Sequence, residues 1–285
     1  MRVFILALDG LEYDYVIKWN LKNLMQKTFG KFEISPNYFT FEGGVAIPYS
    51  PLVWASFITG VPPESHNVNG FWQYDNKILE IVRKFPLILK IRGKRRILSR
   101  TGITPNLQRV KQKTIFEKVN PSIAIDVVGY NANEKTRKMM FKIKSIDEFI
   151  TISNKFFLAK IDYFWTLVDE PWKLFMYYIN HVDHMSHCTE LTKLKYLYQY
   201  MDYFAKKIKN HIKNHIGDCI FLIVSDHGFE KTDKYVGVAN LLKGPPQVHS
   251  KHAFYSLNIN TKWKPNHVTD FMPRILEWVS SYVTT

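Results

Sequence analysis

The chain has 285 residues, 46% hydrophobic and 22% charged, globular proportions that exclude disorder, collagen-like repeats and coiled coil as its main form. Lysine and arginine outnumber aspartate and glutamate 39 to 25, leaving a net charge of +14, which favours acidic partners or substrates without fixing a fold. Cys188 and Cys219 are the only cysteines, too few for a disulfide framework and in keeping with a reducing, cytoplasmic setting.

Residues 2–8 are rich in Val, Ile and Leu with little alternation, the pattern of a strand buried on both faces. That run stops at Asp9, short of the ~7–15 residue apolar core of a signal peptide. Residues 11–27 place Tyr15, Ile17, Leu21, Leu24 and Met25 at helical spacing. The uncharged stretch 43–63 is long enough to suggest a membrane span, but Pro48, Pro51, Pro62 and Pro63 break it into a loop and a short helix. No membrane partner is expected. Residues 71–113 fit no α/β alternation and suggest an insertion or cap on a single domain spanning 1–285. Within it, no acidic residue falls between Glu80 and Glu117, while Arg83, Lys84, Lys90, Arg92, Lys94, Arg95, Arg96, Arg100, Arg109, Lys111 and Lys113 supply most of the net charge.

Short β-rich runs follow at 122–128 and 174–179, with a long helical pattern at 146–167 between them. Leu191, Leu194, Leu197, Met201, Phe204, Ile208 and Ile212 step by three or four, an amphipathic helix. Residues 219–224 (CIFLIV) read as a buried strand, 254–258 as another, and 268–283 as a closing helix. The alternation predicts an α/β fold with a doubly wound, mostly parallel sheet.

Functional groups in such sheets gather at the carboxyl ends of strands. The first strand runs into Asp9-Gly10 and CIFLIV runs into Ser225-Asp226-His227-Gly228. Alone, Asp9 reads as the cap of a helix beginning near Leu11. After 174–179 comes His181-Val182-Asp183-His184-Met185-Ser186-His187, where Asp183 and His187 would share one face of a helical turn and grip one cation. Carboxylate with imidazole suits zinc or manganese better than calcium. Spacing alone does not choose among His181, His184 and His187, and His249 and His252 lie further on. Ser50-Pro51 reads as an N-cap with proline at the first helical position, and Gly60 as the stop. A hydroxyl there sits at a positive helix terminus, where a phosphoryl group is held.

The order Asp9-Gly10, Ser50-Pro51, Thr59-Gly60 through His66, Asp183 with His187, Asp226-His227-Gly228 and His252-Ala253 resembles the type I phosphodiesterase/nucleotide pyrophosphatase family of the alkaline phosphatase superfamily. The resemblance implies an alkaline phosphatase-like fold and two divalent ions, Zn2+ or else Mn2+. Ser50 would be the nucleophile of a phosphodiester hydrolysis that passes through phosphoserine. One ion would take Asp9, Ser50, Asp226 and His227; the other Asp183, His187 and His252, chosen over His249 because Ala253 best matches the glycine after the family's last histidine. This chain carries Ser50 where threonine is usual, Asn67 where glycine is usual, implying a left-handed backbone, and Phe71 where nucleotide pyrophosphatases carry a phosphate-contacting asparagine. Leu52 and Trp54 exclude the sulfatase motif. A small phosphate ester is the expected partner. The alternatives are a phosphomonoesterase or phosphomutase of the same superfamily, or a nucleic-acid binder using the basic run with a non-catalytic metal site. The last is disfavoured, because the run carries few aromatics for base stacking.

Overall fold

The computed structural model describes residues 1–42, 44–74, 76, 105–140, 143, 145–232 and 247–281. Among them the strands are, in chain order, β1 (Arg2–Leu8), β2 (Thr28–Glu33), β3 (Phe39–Glu42), β4 (Val45–Pro48), β5 (Trp72–Gln73), β6 (Asn106–Leu107), β7 (Ser122–Ile125), β8 (Leu174–Ile179), β9 (Cys219–Val224), β10 (Gly228–Lys231), β11 (Gln247–Ser250) and β12 (His252–Leu257). Six of these form the main sheet in the order β2-β12-β9-β1-β8-β7. Strands β1, β7, β8 and β9 run parallel, while β12 is antiparallel to both β9 and β2. The expected doubly wound, mostly parallel α/β sheet is the observed one.

Continuous apolar strands arise here because both sheet faces are covered. Val3, Ile5 and Ala7 join one core with Val53, Trp54 and Phe57 of the Ser50–Thr59 helix and Phe271 and Ile275 of the Phe271–Ser280 helix. Their neighbours Phe4, Leu6 and Leu8 join the other core, with Phe157, Ile161 and Phe164 of the Ile146–Leu167 helix and Leu194, Met201 and Phe204 of the Leu191–His215 helix. Each such fully buried side chain contributes about 1.5–3 kcal/mol. Phe4 is typical, fully buried and stacked on Phe221 at 4.9 Å and Phe175 at 5.2 Å.

Two local expectations change. The helix expected over 11–27 is two short helices, Tyr13–Lys18 and Lys22–Met25, because Asn20 takes a left-handed φ of 52° between them. The closing helix runs Phe271–Ser280 after a 3-10 turn at Val268–Asp270, and residues 282–285 lie outside the described residues. Strands β5 and β6 pair antiparallel, Trp72 against Leu107, so the chain departs and returns side by side. The intervening residues 77–104, and with them the basic residues from 83 to 100, lie outside the described residues. No helix among the described residues is long and apolar enough to cross a membrane.

Candidate active site

The neighbouring parallel strands β9, β1 and β8 deliver Asp226 and His227, Asp9, and Asp183 to one sheet edge. That edge is crowded. Gly10 has a φ of +73°, and a Cβ on it would lie 2.8 Å from Phe229 and 3.0 Å from the Asp183 backbone. Only glycine fits there, and its amide donates to Asp226 Oδ1 at 3.2 Å. Asp9 does not cap the next helix; Glu12 does, accepting from the Asp14 amide. The Asp9 carboxylate is thereby left for the site.

Ser50 opens the helix expected of it, and Gly60 stops it with a φ of 68°. The capping role is corrected, however. Tyr49 occupies the N-cap position with an extended backbone, and no side chain caps the helix. The Ser50 hydroxyl instead turns to the strand ends, 3.5 Å from Asp9 Oδ1 and 3.3 Å from His227 Nε2. Just beyond the helix Asn67 takes the left-handed conformation its replacement of glycine implied, with φ 58°.

Two groups of donor atoms abut, each drawn within 4.8 Å: Asp9, Asp226 and His227, and Asp183, His227 and His249. His227 Nε2 lies 3.3 Å from Asp9, 3.4 Å from Asp226 Oδ2 and 3.9 Å from Asp183 Oδ1. His187 Nε2 lies 3.3 Å from Asp183 Oδ1 and 3.1 Å from His249 Nε2. The protonation equilibria differ across the cluster. Burial, then the Asp9 charge, raises Asp226 to about 8. Burial disfavours charge on His227, but Asp226, Asp9 and Asp183 outweigh it and lift the imidazole to about 10. His249 moves the opposite way, to about 4, through burial and the charge of His227. Asp183 is pushed up by burial, yet His187 and His249 hold it well below the usual carboxylate range.

Asp9, Ser50, Asp183, His187, Asp226 and His227 therefore converge. His252 is drawn into neither group among the described residues. It begins β12 opposite Glu33, whereas His249 on β11 lies opposite Phe229 in the β10–β11 hairpin and reaches Asp183 Oδ1 at 3.4 Å. Its Nδ1 is anchored 2.9 Å from the Pro48 carbonyl. His181 and His184 turn away as well, with Nδ1 atoms 3.0 and 2.9 Å from Ser153 Oγ. His66 braces the serine helix: its Nδ1 accepts from the Val68 amide at 3.0 Å, and Nε2 lies 3.0 Å from Ser56 Oγ.

Supporting residues carry no signal in the sequence. The buried Glu12 carboxylate accepts from the Phe229 amide at 2.8 Å and Ser250 Oγ at 3.0 Å, tying the end of β1 to the hairpin that carries His249. Gly228 passes so close to it that any Cβ would collide with Glu12 Oε2. Tyr178 on β8 donates to Asp9 Oδ2, and burial keeps its hydroxyl protonated. The apolar company of Tyr178 in the sequence marks it as core, and only strand pairing reveals its neighbour.

The profile of the family described as type I phosphodiesterase / nucleotide pyrophosphatase matches residues 3–276. No curated protein matches the chain by sequence. Among solved structures, murine ectonucleotide pyrophosphatase/phosphodiesterase 5 is 12% identical and aligns over 100% of this chain and 96% of its own with a TM-score of 0.53. An inactive variant of that protein in complex with AMP is 11% identical, with the same coverage and a TM-score of 0.52. Phosphonoacetate hydrolase from Sinorhizobium meliloti 1021 in complex with phosphonoformate is 10% identical over 98% of this chain and 96% of its own, with a TM-score of 0.55. At these identities the likeness is one of fold.

Proposed function

Because the chain belongs to the type I phosphodiesterase/nucleotide pyrophosphatase family, whose members are divalent-metal-dependent hydrolases, we propose that it hydrolyses small phosphate esters with Ser50 as nucleophile. The observation that carries this reading is the Ser50 hydroxyl, 3.3 Å from His227 Nε2 and 3.5 Å from Asp9 Oδ1 at the meeting of two donor groups. Those groups suit cations. Asp183 Oδ1 and Asp226 Oδ2 are buried and meet no well-aligned donor among the described residues, only imidazole nitrogens at 3.3–3.4 Å, and a buried carboxylate so placed is costly to ionise unless a cation meets it. Mixed carboxylate and imidazole donors favour Zn2+, with Mn2+ second.

Asp9, Ser50, Asp226 and His227 would hold one ion, and Asp183, His187 and His249 the other. Bound there, divalent cations supply Lewis-acid charge neutralisation and a lowered hydroxyl pKa. The protein's own part is positional. Tyr178 fixes the Asp9 carboxylate through Oδ2, leaving Oδ1 directed at the Ser50 proton. The Ser50 oxygen attacks phosphorus as its proton passes by way of Asp9 to the leaving oxygen; the new P–O bond forms as the bond to that oxygen breaks, releasing an alcohol and leaving a phosphoserine that keeps the second ester group when the substrate is a diester. Water then cleaves the phosphoserine, restoring the hydroxyl.

AMP and phosphonoformate in the solved structures of similar fold support a small phosphorus oxyanion over a polynucleotide. A single domain with a cap between about residues 71 and 113 belongs to the same proposal, as does a cytoplasmic setting in keeping with free Cys188 and Cys219. The test is a panel of chromogenic diesters and monoesters, assayed before and after chelation, with metal counted per chain. Two ions and chelator-sensitive turnover are expected. Full activity after chelation would overturn the reading.

A further inference from the structure

Across the sheet from the Ser50–Thr59 helix, the Ile146–Leu167 and Leu191–His215 helices form a layer whose inner stripes fill the core. Their outer side is apolar as well. Tyr196, Tyr200 and Tyr203 follow at i, i+4 and i+7, the spacing of one helix face, and Leu158 stands next to Phe157 on the neighbouring helix. The three tyrosines are 73%, 40% and 55% exposed and Leu158 57%, so four of the ten exposed large apolar side chains among the described residues flank one groove. Apolar residues scattered singly would need no explanation, but a cluster marks an interaction site. Its rings are anchored: Tyr200 packs edge-on against Phe157 at 5.9 Å and stacks on Phe204 at 6.1 Å, and Lys207 Nζ lies 5.9 Å from the Tyr203 ring centroid. Such pre-set tyrosines bind at low cost in entropy.

The charges along the groove are sorted by helix. Exposed Glu148, Asp162 and Asp169 border the first helix, and exposed Lys193, Lys206 and Lys213 the second. Both helices run in the same direction, because Phe157 meets Tyr200 while Trp165, further on, meets Phe204 and His211. The Phe157–Tyr200 contact sets residues 43 apart in number level with each other. Glu148 and Lys193 are 45 apart, Asp162 and Lys206 are 44, and Asp169 and Lys213 are 44. Acid and base therefore stand level three times along the groove. Asp169 pairs with His211 of its own chain at 2.7 Å, yet its side chain stays 59% exposed. A polyanion laid here would meet carboxylates at all three levels and be repelled by them. A second copy of the face would not. Turned about a two-fold axis lying along the groove, each first helix covers the other copy's second helix at the same level, and every acid faces a lysine. The size also suits a dimer. Helices of 22 and 25 residues are about 33 and 37 Å long and pack about 10 Å apart, giving a face of roughly 33 by 20 Å. Two such faces take on the order of 1,300 Å² out of water, within the range of specific interfaces.

We propose that this face joins two copies of the chain in a two-fold dimer, with the Ile146–Leu167 helix of each copy on the Leu191–His215 helix of the other. The tyrosines and Leu158 form its centre and the acid–lysine levels its rim. The Ser50–Thr59 helix lies on the opposite sheet face, so the dimer is independent of the role of Ser50.

Sedimentation equilibrium of the purified full chain reads the dimer dissociation constant. A dimer is expected at micromolar concentration. Tyr203→Glu should weaken it by about 100-fold or more, because the new carboxylate is buried in two equivalent places. Lys206→Glu and Asp162→Lys should each weaken it by about tenfold, and both together in one chain should return it to within about threefold of the wild type. That recovery also shows that the single variants fold, and it requires a pairing that sets residue 162 of one copy against residue 206 of the other. A wild-type chain still monomeric at about 100 μM, a dimer untouched by Tyr203→Glu, or charge substitutions that add instead of cancelling would each overturn the interface. A monomer that pellets with phosphatidylglycerol vesicles, and loses this with Tyr203→Glu, would overturn it as well and give the face to an anionic membrane surface.

Discussion

The two halves of the site are built from different materials. The serine half joins Ser50 to Asp9, Asp226 and His227, buried groups at the ends of central strands. There burial and the Asp9 charge raise Asp226 to about 8, and the surrounding carboxylates, against burial, raise His227 to about 10. The imidazole half joins Asp183 on a short helix to His187 and to His249 on a hairpin, and there the balance reverses. His249 falls to about 4 and Asp183 stays ionised. A cation entering the serine half must displace the protons of Asp226 and His227, whereas the other half already offers the uncharged imidazole of His249. Rigid strands carry the groups that face the Ser50 hydroxyl, and an appended hairpin brings His249 to the second donor group.

Removing Ser50 gives the largest effect. Ser50→Ala should lower diester turnover by about 10³-fold or more while leaving stability within about 0.5 kcal/mol, because this side chain does not cap its helix. Wild-type rates in the variant would end the nucleophile assignment; a loss of stability near the ~1 kcal/mol of an N-cap would restore the capping role.

The imidazole half is separable. His249→Ala should weaken metal binding beyond the ~10–100-fold cost of a supporting residue and leave one ion per chain at limiting metal, whereas His252→Ala should keep both ions. Metal analysis of the two purified variants decides between them, and the reverse result would return His252 to the site.

Each half also has its own brace. Glu12→Ala strands the Phe229 amide and the Ser250 hydroxyl, which should cost about 2–4 kcal/mol in denaturant unfolding. Its metal defect should fall on the hairpin half, and equal weakening of both ions would show the halves to be one mechanical unit. On the serine side, burial lowers the His66 pKa below 6.5. The unfolded chain therefore binds the extra proton more readily, so the contribution of His66 is complete above about pH 6.5 and is lost as pH falls toward the folded value. Protonation would also set an N–H against the Val68 amide. Urea unfolding at pH 7.5 and pH 5 should show a shallower pH dependence in His66→Gln than in the wild type; parallel slopes would count against it.

Much of this architecture is legible in residue order. Strands β1, β8 and β9 occupy the residues expected of them, because strands covered on both faces need unbroken apolar runs that few other structures tolerate. The Ile146–Leu167 helix likewise follows from its periodicity. Asp9-Gly10 and Asp226-His227-Gly228 are readable for the same reason: each directly follows a central strand, so placing the strand places the donor group.

Where a residue's neighbour is distant in sequence, that logic stops. Asn20 and its helix break depend on one left-handed residue that periodicity does not register. His249 and His252 sit three apart in equally plain surroundings, and only strand pairing separates them. The β10–β11 ladder sets His249 against Phe229 beside Asp183, while the β12–β2 ladder sets His252 against Glu33. Glu12 and Tyr178 reach their partners Phe229 and Asp9 across 217 and 169 residues of chain. Strand identity is a local property, set by which side chains must leave water. The placement of His249 beside Asp183 and of Tyr178 on Asp9 is a property of register and packing, which bring into contact side chains that no spacing rule connects.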